Sequence, residues 1–86
     1  MKPVVVRPAA AADIEDAYHF LATLRSTLNR VVTHSEAFPV VHRATRRALI
    51  TERFPYGLFY RVYDDVIVVV ACMHAKRDPR RWQRRS

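Results

Sequence analysis

The sequence predicts an α+β domain in the order β-α-β-β-β, a small antiparallel sheet packed against one long helix, with a basic tail after the last strand. Three observations predict it. The length of 86 residues fits one domain and not two. Residues 9–34 contain neither Gly nor Pro, and their apolar positions recur at steps of three and four. Three later segments carry strand patterns separated by turn residues.

The elements follow in order. "PVVVR" (3–7) is a β-branched run closed by Pro8, which reads as a strand. Ile14, Ala17, Tyr18, Leu21, Leu24, Leu28, Val31 and Val32 then form one apolar helical stripe. Asp13, Glu15 and Asp16 stand near its start and Arg25, Arg30 and His34 toward its end, which complements the helix dipole. Pro39 stops it. A strand is expected near 46–52, and "FPYG" (54–57) supplies turn residues. "GLFYRVY" (57–63) alternates Leu58, Tyr60 and Val62 against Phe59, Arg61 and Tyr63. Asp64 and Asp65 suit a tight turn. "VIVVVACM" (66–73) is continuously apolar, as in a central strand covered on both faces.

Composition narrows the function classes. Half of the residues are apolar, which argues against disorder. There is no run of eighteen apolar residues, so no transmembrane helix is expected, and "MKPVVVRPAAAAD" lacks the apolar core of a signal peptide. A single cysteine, Cys72, suits a reducing cytosol and reads as a buried small hydrophobe. One glycine excludes a Gly-rich phosphate loop, and His19, His34 and His42 lack partners at zinc-ligand spacing; no metal or cofactor is expected. The formal charge of +7 is concentrated at one end. Residues 74–86 carry six Lys/Arg against Asp78 alone, a local +5, while the other 73 residues carry nine against seven acids. Such an end favours a polyanion or an acidic protein.

The wording of the second half is specific. "RRALITERFPYGLFYRVYDDVIVVVACMHAKRDPRRWQRR" (46–85) resembles the ParE-like, plasmid-stabilisation branch of the RelE/ParE toxin superfamily. The matching pieces are the "RFPYGLFYRV" hairpin, the "DD" turn, the apolar strand ending in "MHAKRDP" and the closing "W..RR"; "VRPAAAADIEDAYHFL" resembles that branch's entry into its first helix. The resemblance implies a compact α+β domain with helices on one face of the sheet. It also implies the toxin half of a type II toxin–antitoxin pair, neutralised by an antitoxin laid into its groove. ParE members are associated with poisoning DNA gyrase, and RelE members cleave mRNA in the ribosomal A site.

One departure matters. The family has a hairpin of two helices after the first strand, whereas here "DIEDAYHFLA" runs directly into "TLRSTLNRVV" without a breaker. A single fused helix of about 25 residues, about 37 Å long, is therefore expected. Such a helix overhangs its sheet, and a homodimer paired through it would cover the exposed stripe.

The tail offers the candidate contact residues: Arg77, Arg80, Arg81, Trp82, Arg84 and Arg85. Trp82 is read as packing its indole on the domain, with the arginines facing an acidic antitoxin or a target. No catalytic residue is assigned. The runner-up reading is a RelE-type, ribosome-dependent mRNA endonuclease with His74 as proton-transfer group and Arg61 on the phosphate charge. An inactive toxin remnant is a further alternative, motivated by the shortened helical region, and nonspecific binding of DNA phosphates by the tail is the weakest. Arg43, Arg46, Arg47 and Arg53 read as the charges of an edge strand.

Overall fold

The computed structural model describes residues 2–16, 21–50, 56–74 and 79–85. Five strands, β1 (Val4–Val6), β2 (Val40–His42), β3 (Thr45–Leu49), β4 (Tyr56–Val62) and β5 (Ile67–His74), join in one sheet of order β1-β5-β4-β3-β2. Helices α1 (Pro8–Asp16) and α2 (Leu21–Thr33) follow β1, and a short helix α3 (Arg80–Gln83) follows β5.

The sheet is mixed. The pairs β2–β3, β3–β4 and β4–β5 are antiparallel as expected, but β1 lies parallel to β5, with Val4, Val5 and Val6 beside Ile67, Val68 and Val69. The flanks of β1 are fixed by Ile67 N donating to Pro3 O at 2.9 Å and Arg7 N to Val69 O at 3.1 Å. Pro8 then opens α1 at the first helical position, where a missing N–H costs nothing.

The expected fused helix falls on two helical segments, and residues 17–20, where they would join, lie outside the described residues. The apolar stripe of α2 does not overhang. Leu24 and Val31 are buried in the sheet's own core, and Leu28 packs against it.

Both faces of the sheet are covered. On one, Ala10, Leu24 and Val31 meet Ala48, Leu58, Tyr60, Ile67, Val69 and Cys72. On the other, Phe59, Val70, Ala71 and Met73 form a second cluster with Trp82. A bulge separates the two registers of β5: Phe59 is opposite Ala71 but Tyr60 is opposite Val69, leaving Val70 extra. This one-residue shift turns Cys72 toward the helices and Met73 toward Trp82.

Two sequence expectations need correction here. Helices do not occupy one face alone, because α3 seats Trp82 on the opposite one. The edge strand next to β3 is β2, a three-residue strand missed because Val40–His42 is so short; β3 lies inside, between β4 and β2. Its arginines are not a solvated edge. Arg46 Nη1 donates to Glu36 O at 3.0 Å and Phe38 O at 2.6 Å, tying the loop after α2 to the sheet. Arg43 takes φ 52° in the β2–β3 turn, and Arg53 lies outside the described residues.

Trp82 is 4% exposed, and its loss would open a large hole on a thin core. Trp82→Ala is expected to lower unfolding stability by about 3–5 kcal/mol, measured by chemical denaturation of the full chain.

Candidate functional site

The C-terminal segment is built into the fold. The rings of Trp82 and Phe59 stack with centroids 4.4 Å apart and planes 18° apart, and the His42 ring meets the indole edge-on at 5.8 Å. Stacked and edge-to-face pairs are both favourable arrangements of aromatic quadrupoles. At the start of α3, Gln83 N donates to Pro79 O at 3.0 Å, so Pro79 opens this helical turn.

Arg85 closes this segment against the other end of the chain. Its Nη1 lies 2.6 Å from Asp13 Oδ2 and 3.3 Å from Val70 O. The same Asp13 Oδ2 accepts the backbone N–H of Cys72 at 3.1 Å, and Arg85 O accepts from Arg7 Nη1 at 2.6 Å. β1 accompanies β5 only as far as Val69. Beyond it, the Cys72 N–H is met by a carboxylate from α1 and the Val70 carbonyl by the Arg85 guanidinium, so two backbone groups of that edge are not left unpaired. The Asp13 and Arg85 side chains are 17% and 28% exposed, so the pair is partly desolvated.

The predicted contact residues therefore divide. Trp82 is buried as expected. Arg80, Arg81 and Arg84 are exposed on or beside α3, Arg85 is half-buried, and its charge is met within the chain. Arg77 lies outside the described residues. The runner-up pair is not brought together. His74 is opposite Tyr56, which packs on the helix side, whereas Arg61 shares the Phe59 side of β4 and is opposite Val68. They sit on opposite faces and toward opposite ends of β5.

Sequence reasoning missed Asp13, Arg7 and Tyr60. Asp13 and Arg85 are 72 positions apart, and no local pattern links them. Tyr60 Oη donates to Ser35 O at 2.7 Å, while its ring meets Phe38 edge-on at 6.3 Å. Burial pushes its hydroxyl up to about 12, partly opposed by the Arg46 guanidinium. Burial likewise pushes the Cys72 thiol up to about 12, and the Asp13 carboxylate adds to the rise. Cys72 is thus an inert core residue. Among the described residues no three His, Cys, Asp or Glu side chains gather as a metal site, and no helix is long and apolar enough to cross a membrane.

Both groups lose protons more readily in the unfolded chain, near their ordinary values of 9.0 and 10.0. The native state therefore holds protons that the unfolded state has released, and stability falls as pH rises. The expected result is full stability below pH 9.0 and progressive loss toward about 12. Native Cys72 should also resist alkylation at mildly alkaline pH until denaturant is added. Denaturation at stepped pH and thiol labelling check the two parts.

Known proteins place this architecture. Among solved structures, the chain resembles one from the chromosomal ParDE TA system of P. aeruginosa, with 20% identity and a TM-score of 0.61 over 88% of this chain and 98% of that one. That likeness speaks for the fold. No curated protein matches the sequence. The sequence profile described as "ParE toxin of type II toxin-antitoxin system, parDE" matches residues 4–79, nearly the whole chain. The chain belongs to the ParE toxin family of type II toxin–antitoxin systems.

Proposed function

We propose that this chain acts as a toxin by binding its target, with DNA gyrase as that target, and that an antitoxin neutralises it in the cytosol. The observation that carries the reading is the docked helix α3. Trp82 is buried on Phe59, while Arg80, Arg81 and Arg84 stay exposed around it. A rigid aromatic anchor holding guanidinium groups at a surface is a composition suited to protein recognition. Concentrated positive charge also speeds and orients encounter with an acidic partner, as expected for the antitoxin.

Binding is favoured over RNA cleavage by the separation of His74 and Arg61. Acid–base chemistry on one phosphodiester needs both groups within hydrogen-bonding reach of the same few atoms. A pair on opposite faces of a sheet does not supply that.

A homodimer through the helices belongs to the same reading with narrower support, because Leu24 and Val31 are already covered by the chain's own sheet. Pairing would have to use other helical surface.

The test is induced expression of the bare chain in a bacterium, scoring growth, gyrase-linked DNA breaks, mRNA cleavage and the mass of the purified protein. Growth arrest with DNA breaks is expected, suppressed by a co-expressed antitoxin and lost when Arg80, Arg81 and Arg84 are changed to Glu. Arrest with cleaved mRNA, abolished by His74→Ala, would transfer the assignment to the nuclease. Soluble protein without arrest would mark an inactive remnant. A mass of 10.0 kDa at micromolar concentration would remove the dimer.

A further inference from the structure

Arg43 is the one non-glycine residue with a positive φ, 52°, among the described residues. His42 and Thr45 are paired across the β2–β3 ladder, so Arg43 and Ala44 form a two-residue turn. Such turns need positive φ at their first residue, and glycine, asparagine or aspartate adopts it at least cost. An arginine there gives up stability, because its Cβ crowds the following carbonyl. Backbone held in an unfavourable region points to a use for the side chain it carries.

The turn lies beside the docked C-terminal helix. The His42 ring, one residue before Arg43, meets the Trp82 ring at 5.8 Å. Arg81 precedes Trp82, and Arg84 follows it two positions on with helical dihedrals, φ −63° and ψ −23°. Positions three apart share one side of a helix, and Trp82, which faces the sheet, is not on that side. Arg43, Arg81 and Arg84 are all exposed. Among the described residues none of the three is in an ion pair. Asp13 is taken by Arg85, and Glu36 and Asp64 line a pocket with Lys2 and Arg46.

We propose that Arg43, Arg81 and Arg84 form one phosphate-binding surface, and that it takes the backbone of duplex DNA. Charge complementarity gives the class of partner. Residues 74–86 carry a net +5, and Arg43 adds a cation from a second element. A guanidinium fork matches a phosphate in two parallel hydrogen bonds, and binding a polyanion gains from the counterions released. What this surface leaves out gives the kind. The large apolar side chains exposed on the molecule are Val5, Val6, Val40, Leu49 and Tyr63, none of them on the turn or α3. An acidic protein is steered by the charge but finds no apolar centre here to hold it. A single strand finds no exposed ring on which to stack its bases. A duplex backbone needs neither, since phosphate contacts position a protein without reading bases. The inference goes beyond the gyrase reading and does not depend on it, although a protein acting on gyrase meets DNA there.

The test titrates the full chain with a labelled duplex oligonucleotide between about 50 and 200 mM salt. Polyglutamate and a single-stranded oligonucleotide of equal charge serve as competitors. For three phosphate contacts, log K is expected to fall against log salt with a slope of about −3. Arg43→Asn should reduce that slope by about one, and Arg81→Gln/Arg84→Gln by about two. Arg43→Asn should also melt at or above the parent, because asparagine tolerates the left-handed turn. Arg43→Lys should keep the slope. Arg25→Gln, which removes an exposed charge from α2 on the other side of the sheet, should leave binding unchanged. Absence of duplex binding at the lowest salt, an unchanged slope in Arg43→Asn, or a lower melting temperature of that variant would each overturn the proposal. So would an equal effect of Arg25→Gln, or competition by polyglutamate or the single strand as strong as by unlabelled duplex.

Discussion

One carboxylate oxygen holds three parts of this chain together. Asp13 Oδ2, carried on α1, accepts both the Cys72 backbone N–H of β5 and the Arg85 guanidinium of the C-terminal segment. The reason lies in the length of β1. It covers β5 only through Val69, so the rest of that edge needs other partners. A buried backbone donor without one costs about 1–3 kcal/mol. Asp13 satisfies the donor, and Arg85 then neutralises the carboxylate that did so. The basic segment is consequently part of the sheet's edge protection as well as a surface.

The remainder of the architecture follows from covering the second sheet face. A five-stranded sheet with α1 and α2 on one side leaves Phe59, Val70, Ala71 and Met73 exposed on the other unless something lies over them. In an 86-residue chain little is left to do so. Trp82 covers that face with a single large side chain stacked on Phe59. The bulge at Val70 serves both arrangements, because it keeps Cys72 toward the helices and Met73 toward Trp82. Its carbonyl is within 3.3 Å of Arg85 Nη1. Arg47 and Arg61 share that face and are half-buried there.

The strands were legible in the sequence where side-chain alternation or continuous apolarity spans five or more residues. Residues 57–63 and 66–73 carried the β4 and β5 signals to within a residue. β2 was not legible, since three residues cannot establish a period. The parallel placement of β1 was not legible either, because direction is set by which edge it joins and not by "VVV" itself. Of the candidate site, Trp82 was readable as an anchor, an oily ring among charges having few other uses. Arg85 was misread as an outward charge because its partner is 72 positions away. Arg47 was read as edge charge and Arg61 as the runner-up phosphate contact. Only the ladder register brings the two to one face.

The account rests on the C-terminal segment being docked in the free chain, and the single tryptophan reports on it directly. Acrylamide quenching of Trp82 fluorescence in the isolated protein is the decisive measurement. Emission shifted to the blue and shielded from quencher is predicted, with full quenching regained only on unfolding. Emission at the wavelength of water-exposed indole, quenched in the native protein as readily as free tryptophan, would contradict it.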